Sequence, residues 1–264
     1  MSSIGMTETQ NKIEYKEEYN KVQSILVSQP KPERSPYYEL EKKYNLKIDW
    51  RPFIKVEGVT EKEFRKNRVR IDEYSCVIFT SKNAIENYFR LAEETRVKIS
   101  QETRYFCLTE AIANYLQKFI LYRKRKVFMG KKHMEDLHNY FMKYKNETFL
   151  IPCSNLGAKD YLPYLQKNNL NYKDVVMYNT VNADLSDLSD VFYDVLIFFS
   201  PQGIESLFSN FPDFNQNKTR IAVFGSQTLQ AVLDKQLFAN IQAPAPEAPS
   251  MAMALEKYLQ RSNG

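Results

Sequence analysis

Six short turns carry hydroxyl, amide or glycine residues directly after apolar or proline-rich stretches: Ser28-Gln29, Ser81-Lys82-Asn83, Ser154-Asn155, Ser200-Pro201-Gln202-Gly203, Gly225-Ser226-Gln227-Thr228, and Ser250. Where such turns lead from a strand into a helix, unpaired backbone N–H groups and a partial positive charge face whatever lies beyond the strand end. The chemistry this suits is recognition of an anionic small molecule by main-chain N–H groups. A purely structural reading stands beside it. Ser81, Ser200 and Ser250 could be helix N-caps worth about 1 kcal/mol each, Gly203 and Gly225 could serve close backbone approach, and Thr228 could be an ordinary first-turn residue.

The elements that would position these turns are visible as internal repeats. Tyr74 to Phe89 lies without a gap over Tyr193 to Phe208, with the Tyr, two Ile, two Phe, the Ser and the Glu coinciding. In each copy a β-branched and aromatic run reads as a buried strand, Ser follows where an N-cap belongs, and Ile and Phe then recur at helical spacing. A second pair sets Ile25-Leu-Val-Ser-Gln29, a helix and Lys43 to Ile48 against Phe149 to Ser154, a helix and Lys167 to Tyr172. A weaker third pair sets Arg104 to Thr109 with its helix against Arg220 to Gly225 with its helix. Strands alternating with helices in both halves predict an α/β protein of two similar domains, each a parallel sheet covered by helices on both faces.

The order of the copies is not tandem. The Ile25-type unit opens the chain, whereas its counterpart at Phe149 closes the middle segment, so one domain is expected to be inserted into the other. Domain 1 would comprise 22–50 and 180–264, and domain 2 would comprise 54–177. Two extended linker strands, about 48–54 and 175–181, would join them, and residues 1–21 would form a polar N-terminal extension.

Composition bounds the function. A length of 264 residues with 43% hydrophobic and 14% aromatic content supports real cores. No run approaches a membrane span and the N-terminus lacks a signal peptide's apolar middle, which predicts a cytoplasmic protein. Cys76, Cys107 and Cys153 read as buried thiols, and His133 and His138 as members of a solvated helix face, so no metal cofactor is implied. The net charge of +5 includes basic clusters at Arg65 to Arg70 and Arg123 to Lys126, continuing into Lys131 and Lys132. They read as solvated surface or as attraction for a polyanion. No nucleic-acid recognition motif accompanies them.

Five segments in register, Phe149 to Asn155, Val176 to Val181, Phe198 to Gly203, Gly225 to Thr228 and Ala243 to Ser250, resemble uroporphyrinogen-III synthases in order and spacing. The resemblance extends over Ile25 to Leu259. It implies a two-domain enzyme of tetrapyrrole and haem biosynthesis that needs no cofactor: a hydro-lyase that dehydrates linear hydroxymethylbilane, inverts its terminal pyrrole ring and closes uroporphyrinogen III. The implied partner is that small-molecule substrate, with no nucleic acid and no membrane, and the implied state is a monomer. Tyr178 matches the family's cleft tyrosine and is the candidate proton donor to the departing hydroxyl; its structural alternative is packing in the connecting ribbon. Thr228 stands at the family's Gly-x-x-Thr position. The chain departs from the pattern in domain 2, where Thr109-Glu110-Ala111-Ile112 replaces a second Gly-x-x-Thr, which puts substrate contact by that turn in doubt. The alternative function is a noncatalytic bilobal module that binds tetrapyrroles or other polyanions. A paired receiver-like signalling domain ranks last, because serine and glycine stand where acidic residues would be needed.

Overall fold

The structure, a computed structural model, describes residues 19–264; most of the expected N-terminal extension lies outside the described residues. In chain order the strands and helices are β1 (Ser24–Val27), α1 (Tyr37–Tyr44), β2 (Lys47–Trp50), β3 (Ile54–Gly58), α2 (Glu61–Lys66), β4 (Cys76–Phe79), α3 (Lys82–Glu94), β5 (Arg104–Cys107), α4 (Glu110–Leu116) and β6 (Val127–Met129). They continue with α5 (His138–Lys143), β7 (Thr148–Ser154), α6 (Leu162–Lys167), β8 (Asn171–Asn182), β9 (Val195–Phe198), α7 (Pro201–Asn210), β10 (Arg220–Phe224), α8 (Ser226–Asp234), β11 (Ala239–Ala243) and α9 (Met251–Ser262). The chain divides into two compact units, one ending its first segment at Phe53 and resuming at Asn182, the other running from Ile54 to Val181.

The discontinuous unit is built on a five-stranded sheet in the order β2-β1-β9-β10-β11, with every pairing parallel. Alternate strand residues feed opposite faces, as the two-residue period of a strand requires. Ile25, Val27, Val195 and Ile197 join a core with Leu40 of α1 and Leu255 and Leu259 of α9. Leu26, Leu196, Phe198 and Val223 join a second core with Ile204 and Leu207 of α7 and Val232 of α8. Burial on both sides explains why these strands read as unbroken apolar runs.

The contiguous unit has a six-stranded sheet in the order β3-β8-β7-β4-β5-β6. The five strands from β8 to β6 are parallel in every pairing. When β7 and β8 are taken as the equivalents of β1 and β2, and β4, β5 and β6 as those of β9, β10 and β11, the strand order of the two sheets is identical apart from the additional edge strand β3. The repeat pairs therefore occupy matching sheet positions, with the chain entering the second sheet at a different point.

The first connecting segment is not the continuous strand expected over 48–54. β2 ends at Trp50, residues 51–53 are outside any strand, and β3 begins at Ile54 in the other sheet. Pro52, which has no N–H to give to a ladder, stands in the break. The second connection is one long strand, β8. Val59 N donates to the Met177 carbonyl at 3.1 Å and Ala183 N to the Phe53 carbonyl at 2.9 Å. The sense of these two bonds, one residue number rising as the other falls, makes the β3-β8 pairing antiparallel.

The three cysteines are free and buried, burial raising the thiol pKa of Cys107 to about 12 and of Cys153 to about 11. His133 and His138 are exposed, and His138 Nδ1 lies 2.8 Å from the Tyr164 hydroxyl. Among the described residues no helix is long and apolar enough to cross a membrane, and no group of three or more His, Cys, Asp or Glu could hold a metal.

Candidate functional site

In open parallel sheets, ligands collect beyond the carboxyl ends of the strands where the strand order reverses. In the contiguous unit that point lies between β4 and β7; in the discontinuous unit it lies between β9 and β1. The Ser28, Ser81, Ser154 and Ser200 turns follow the four strands that flank these points, whereas Gly225 follows the neighbouring β10 and Ser250 precedes α9, beyond the edge strand β11.

Ser81 follows β4 and caps α3, its Oγ accepting from Ala84 N at 3.0 Å. The same Oγ lies 3.0 Å from the hydroxyl of Tyr178 on β8. Tyr178 is only 7% exposed. Burial raises its pKa, and the bond to Ser81 opposes part of that rise. The phenol therefore stays protonated through the neutral range and can either donate a hydrogen bond or deliver a proton. Asn83 is partly exposed in the first turn of α3, and Lys82 is exposed with its ammonium 5.4 Å from the Tyr115 ring.

Ser154 and Asn155 leave β7 on the strand next to β8. Ser154 opens a loop, its Oγ accepting from Leu156 N at 3.2 Å, and the helix expected after it, α6, begins only at Leu162. Asn155 instead ties the loop to β8. Its N–H donates to the Tyr178 carbonyl at 3.1 Å, and its Oδ1 accepts from Thr180 N at 2.8 Å. Three residues chosen separately from the sequence, Ser81, Asn155 and Tyr178, are thus brought into one hydrogen-bonded group. The link escaped sequence reasoning because Ser81 and Tyr178 are 97 positions apart.

In the discontinuous unit, Ser200 repeats the role of Ser81, capping α7 by accepting from Gly203 N at 3.4 Å, with Pro201 in the first turn. Gly203 is buried; a Cβ there would lie 3.1 Å from Phe198 Cδ1, so the glycine lets the helix settle onto the strand. Gln202 Nε2 donates to Asn182 Oδ1 at 2.8 Å. Ser28 and Gln29, beyond β1, form a bend well before α1, with Ser28 N donating to the Ile197 carbonyl at 3.0 Å. Ser250 caps α9 by accepting from Met253 N at 3.3 Å.

Gly225 differs from all of these. Its φ of 89° lies in the region that glycine tolerates, it caps α8 without a side-chain bond, and no atom lies within 4 Å of the position its Cβ would take. Ser226 and Gln227 are exposed, whereas Thr228 is 2% exposed and packed under the first turn. At the matching place in the other sheet, Thr109 has a φ of −137° and its hydroxyl accepts from Ile112 N at 3.3 Å, so that helix end is closed by its own side chain. The amides at the start of α8 are left to an outside acceptor, and the geometry favours an anion there. The missing glycine of the Thr109 turn is therefore a difference in helix capping as well as in composition.

The sequence profile of HEM4, uroporphyrinogen-III synthase HemD, matches residues 38–253. No curated protein matches the chain. Among solved structures, the uroporphyrinogen-III synthetase of Helicobacter pylori is 16% identical with a TM-score of 0.59. A mutant uroporphyrinogen III synthase of Thermus thermophilus is 12% identical with a TM-score of 0.57. Each alignment covers 90% of this chain and 99% of the other, and at such identity the likeness speaks for the shared two-domain α/β fold. The profile match spans most of the sequence, and on it the chain belongs to the uroporphyrinogen-III synthase family, enzymes of tetrapyrrole synthesis.

Proposed function

We infer that this protein converts hydroxymethylbilane to uroporphyrinogen III as a cyclising hydro-lyase, acting as a cytoplasmic monomer without a cofactor. The observation that carries the mechanism is the buried, protonated Tyr178 phenol held against the Ser81 hydroxyl at a strand-order reversal. The phenol donates to the hydroxyl leaving the bilane's terminal carbon. As the C–O bond breaks, water departs and the adjacent pyrrole nitrogen supplies the electron pair that stabilises the azafulvene cation. Attack by the substituted carbon of the last ring, rearrangement and loss of a proton then give the inverted macrocycle.

The substrate itself stabilises most of the developing charge, so the protein's larger contribution is positional. The carboxylates suit the start of α8 at Gly225 to Thr228, which no side chain caps, with Ser28, Gln29, Ser200 to Gly203 and Ser250 in the same unit. Ser81 to Asn83, Ser154 and Asn155 are the corresponding binding residues of the other. Supplying purified protein with hydroxymethylbilane and resolving the products by chromatography tests this reading. It requires the III isomer, and accumulation of only the I isomer, the product of unassisted closure, would reduce the protein to a noncatalytic binder.

A further inference from the structure

Gly58 is exposed and has no positive φ, so nothing in its own backbone requires glycine. What requires it is Arg90. A Cβ on residue 58 would stand 2.6 Å from Arg90 Nη2 and 2.8 Å from both Arg90 Cζ and Asn87 Oδ1. The guanidinium cannot swing aside freely, because it is held on several sides. Nη2 donates to the Val59 carbonyl at 2.8 Å and to Asn87 Oδ1 at 3.0 Å, and Nη1 donates to both Glu94 carboxylate oxygens at 2.9 Å. Nη2 also reaches the Met177 carbonyl at 3.5 Å, one residue before Tyr178. Asn87 is buried and anchored in turn by donating to the Asn83 carbonyl at 2.9 Å.

Helix α3 therefore meets the β3-β8 ribbon twice. Its N-cap Ser81 meets the Tyr178 hydroxyl, and its third turn clasps the backbone at Val59 and Met177. We propose that Arg90, lying in the space left by Gly58, is a positioning residue that fixes β8 against α3 so that the Tyr178 hydroxyl reaches Ser81. This rests on the reading of Tyr178 as the proton donor, but the geometry it claims can be measured without turnover.

The test is a double-mutant cycle of Gly58→Ala and Arg90→Ala, read by thermal unfolding, by steady-state kinetics and by the ring signal of Tyr178 in protein labelled with [ζ-13C]tyrosine and assigned with Tyr178→Phe. In the Arg90 background, Gly58→Ala is expected to shift the Tyr178 signal, lower kcat roughly tenfold and leave KM within about twofold. In the Arg90→Ala background the same substitution should have a clearly smaller effect, because the guanidinium is gone and only the contact with Asn87 Oδ1 remains. Equal effects of Gly58→Ala in both backgrounds, or a fall in kcat with the Tyr178 signal unmoved, would overturn the proposal. If Arg90→Ala does not fold, Arg90→Lys replaces it in the cycle and the same outcomes decide. Should Tyr178→Phe prove fully active, the catalytic reading fails while the coupling between Gly58, Arg90 and the tyrosine ring still stands or falls on its own.

Discussion

Ser81→Ala and Ser200→Ala form a matched pair, because the two serines occupy the same position of the repeat and make the same N-cap. Removing either cap costs about 1 kcal/mol. Ser81 has a second partner. Its loss leaves the Tyr178 hydroxyl, 7% exposed as a residue, without the bond seen at 3.0 Å, a further cost of about 1–3 kcal/mol for an unsatisfied buried group. The expected penalties are therefore roughly 2–4 kcal/mol for Ser81→Ala and about 1 kcal/mol for Ser200→Ala. At about 2–4 °C per kcal/mol for a chain of this size, calorimetry should separate them by several degrees. Adding Tyr178→Phe removes the stranded hydroxyl, so the double variant should be more stable than additivity predicts by about 1–2 kcal/mol. Equal penalties at the two serines, together with additivity at Ser81 and Tyr178, would mean that the bond does not form and that Tyr178 is not oriented by Ser81.

Other outcomes follow from the same geometry. Tyr178→Phe keeps the Ser81 cap and should fold normally while lowering kcat by about 10²-fold, the order expected for loss of a general acid, in a single-turnover assay with hydroxymethylbilane. Gly225→Ala meets no steric obstacle but forces alanine to a φ of 89°; a cost of about 1–3 kcal/mol should appear in unfolding, and a raised KM should report the disturbed amides at the start of α8. The buried thiols set an alkaline limit. Cys107 and Cys153 have folded-state pKa values of about 12 and about 11 against an ordinary value of 9.0, so the unfolded chain releases protons first. Their contribution is intact below pH 9 and is lost above it, by up to about 1.4 kcal/mol per thiol per pH unit. Replacing both with alanine should flatten the fall of Tm between pH 9 and 11, whatever packing cost it adds at neutral pH.

The parts of the fold legible in the sequence were those that repeat and those that are buried on both faces. Val195 to Phe198 and Cys76 to Phe79 announce themselves as apolar runs followed by a capping serine, and each is a strand leading into a helix. The edge strands β6 and β11 went unread, the first having only three residues and the second alternating buried Ala and Ile with polar neighbours. The break at residues 51–53 was hidden because extended residues on either side look alike whichever sheet they join. For the site, residue types marked the turns, but not what each hydroxyl bonds. Ser81 and Ser200 look equivalent in sequence, and only the fold brings a tyrosine to one of them. Arg90 drew no notice, because an arginine four residues before a glutamate on a helix normally means no more than a surface ion pair.

The way the chain enters its two sheets bears on the order in which they form. Parallel pairing of β1 with β9 joins Ile25 to Val195, which closes a loop of some 170 residues if nothing else has folded. The segment 54–181 is contiguous and forms a compact unit by itself, so it can collapse first. The antiparallel ladder at its two ends then presents Phe53 and Ala183 side by side, and the remaining loop shrinks to roughly 40 residues, an entropic saving of about 1.2 kcal/mol. The inserted unit thus acts as a splint for its host. Substitutions that weaken β3 or β8 should slow refolding of the outer sheet without touching any of its residues.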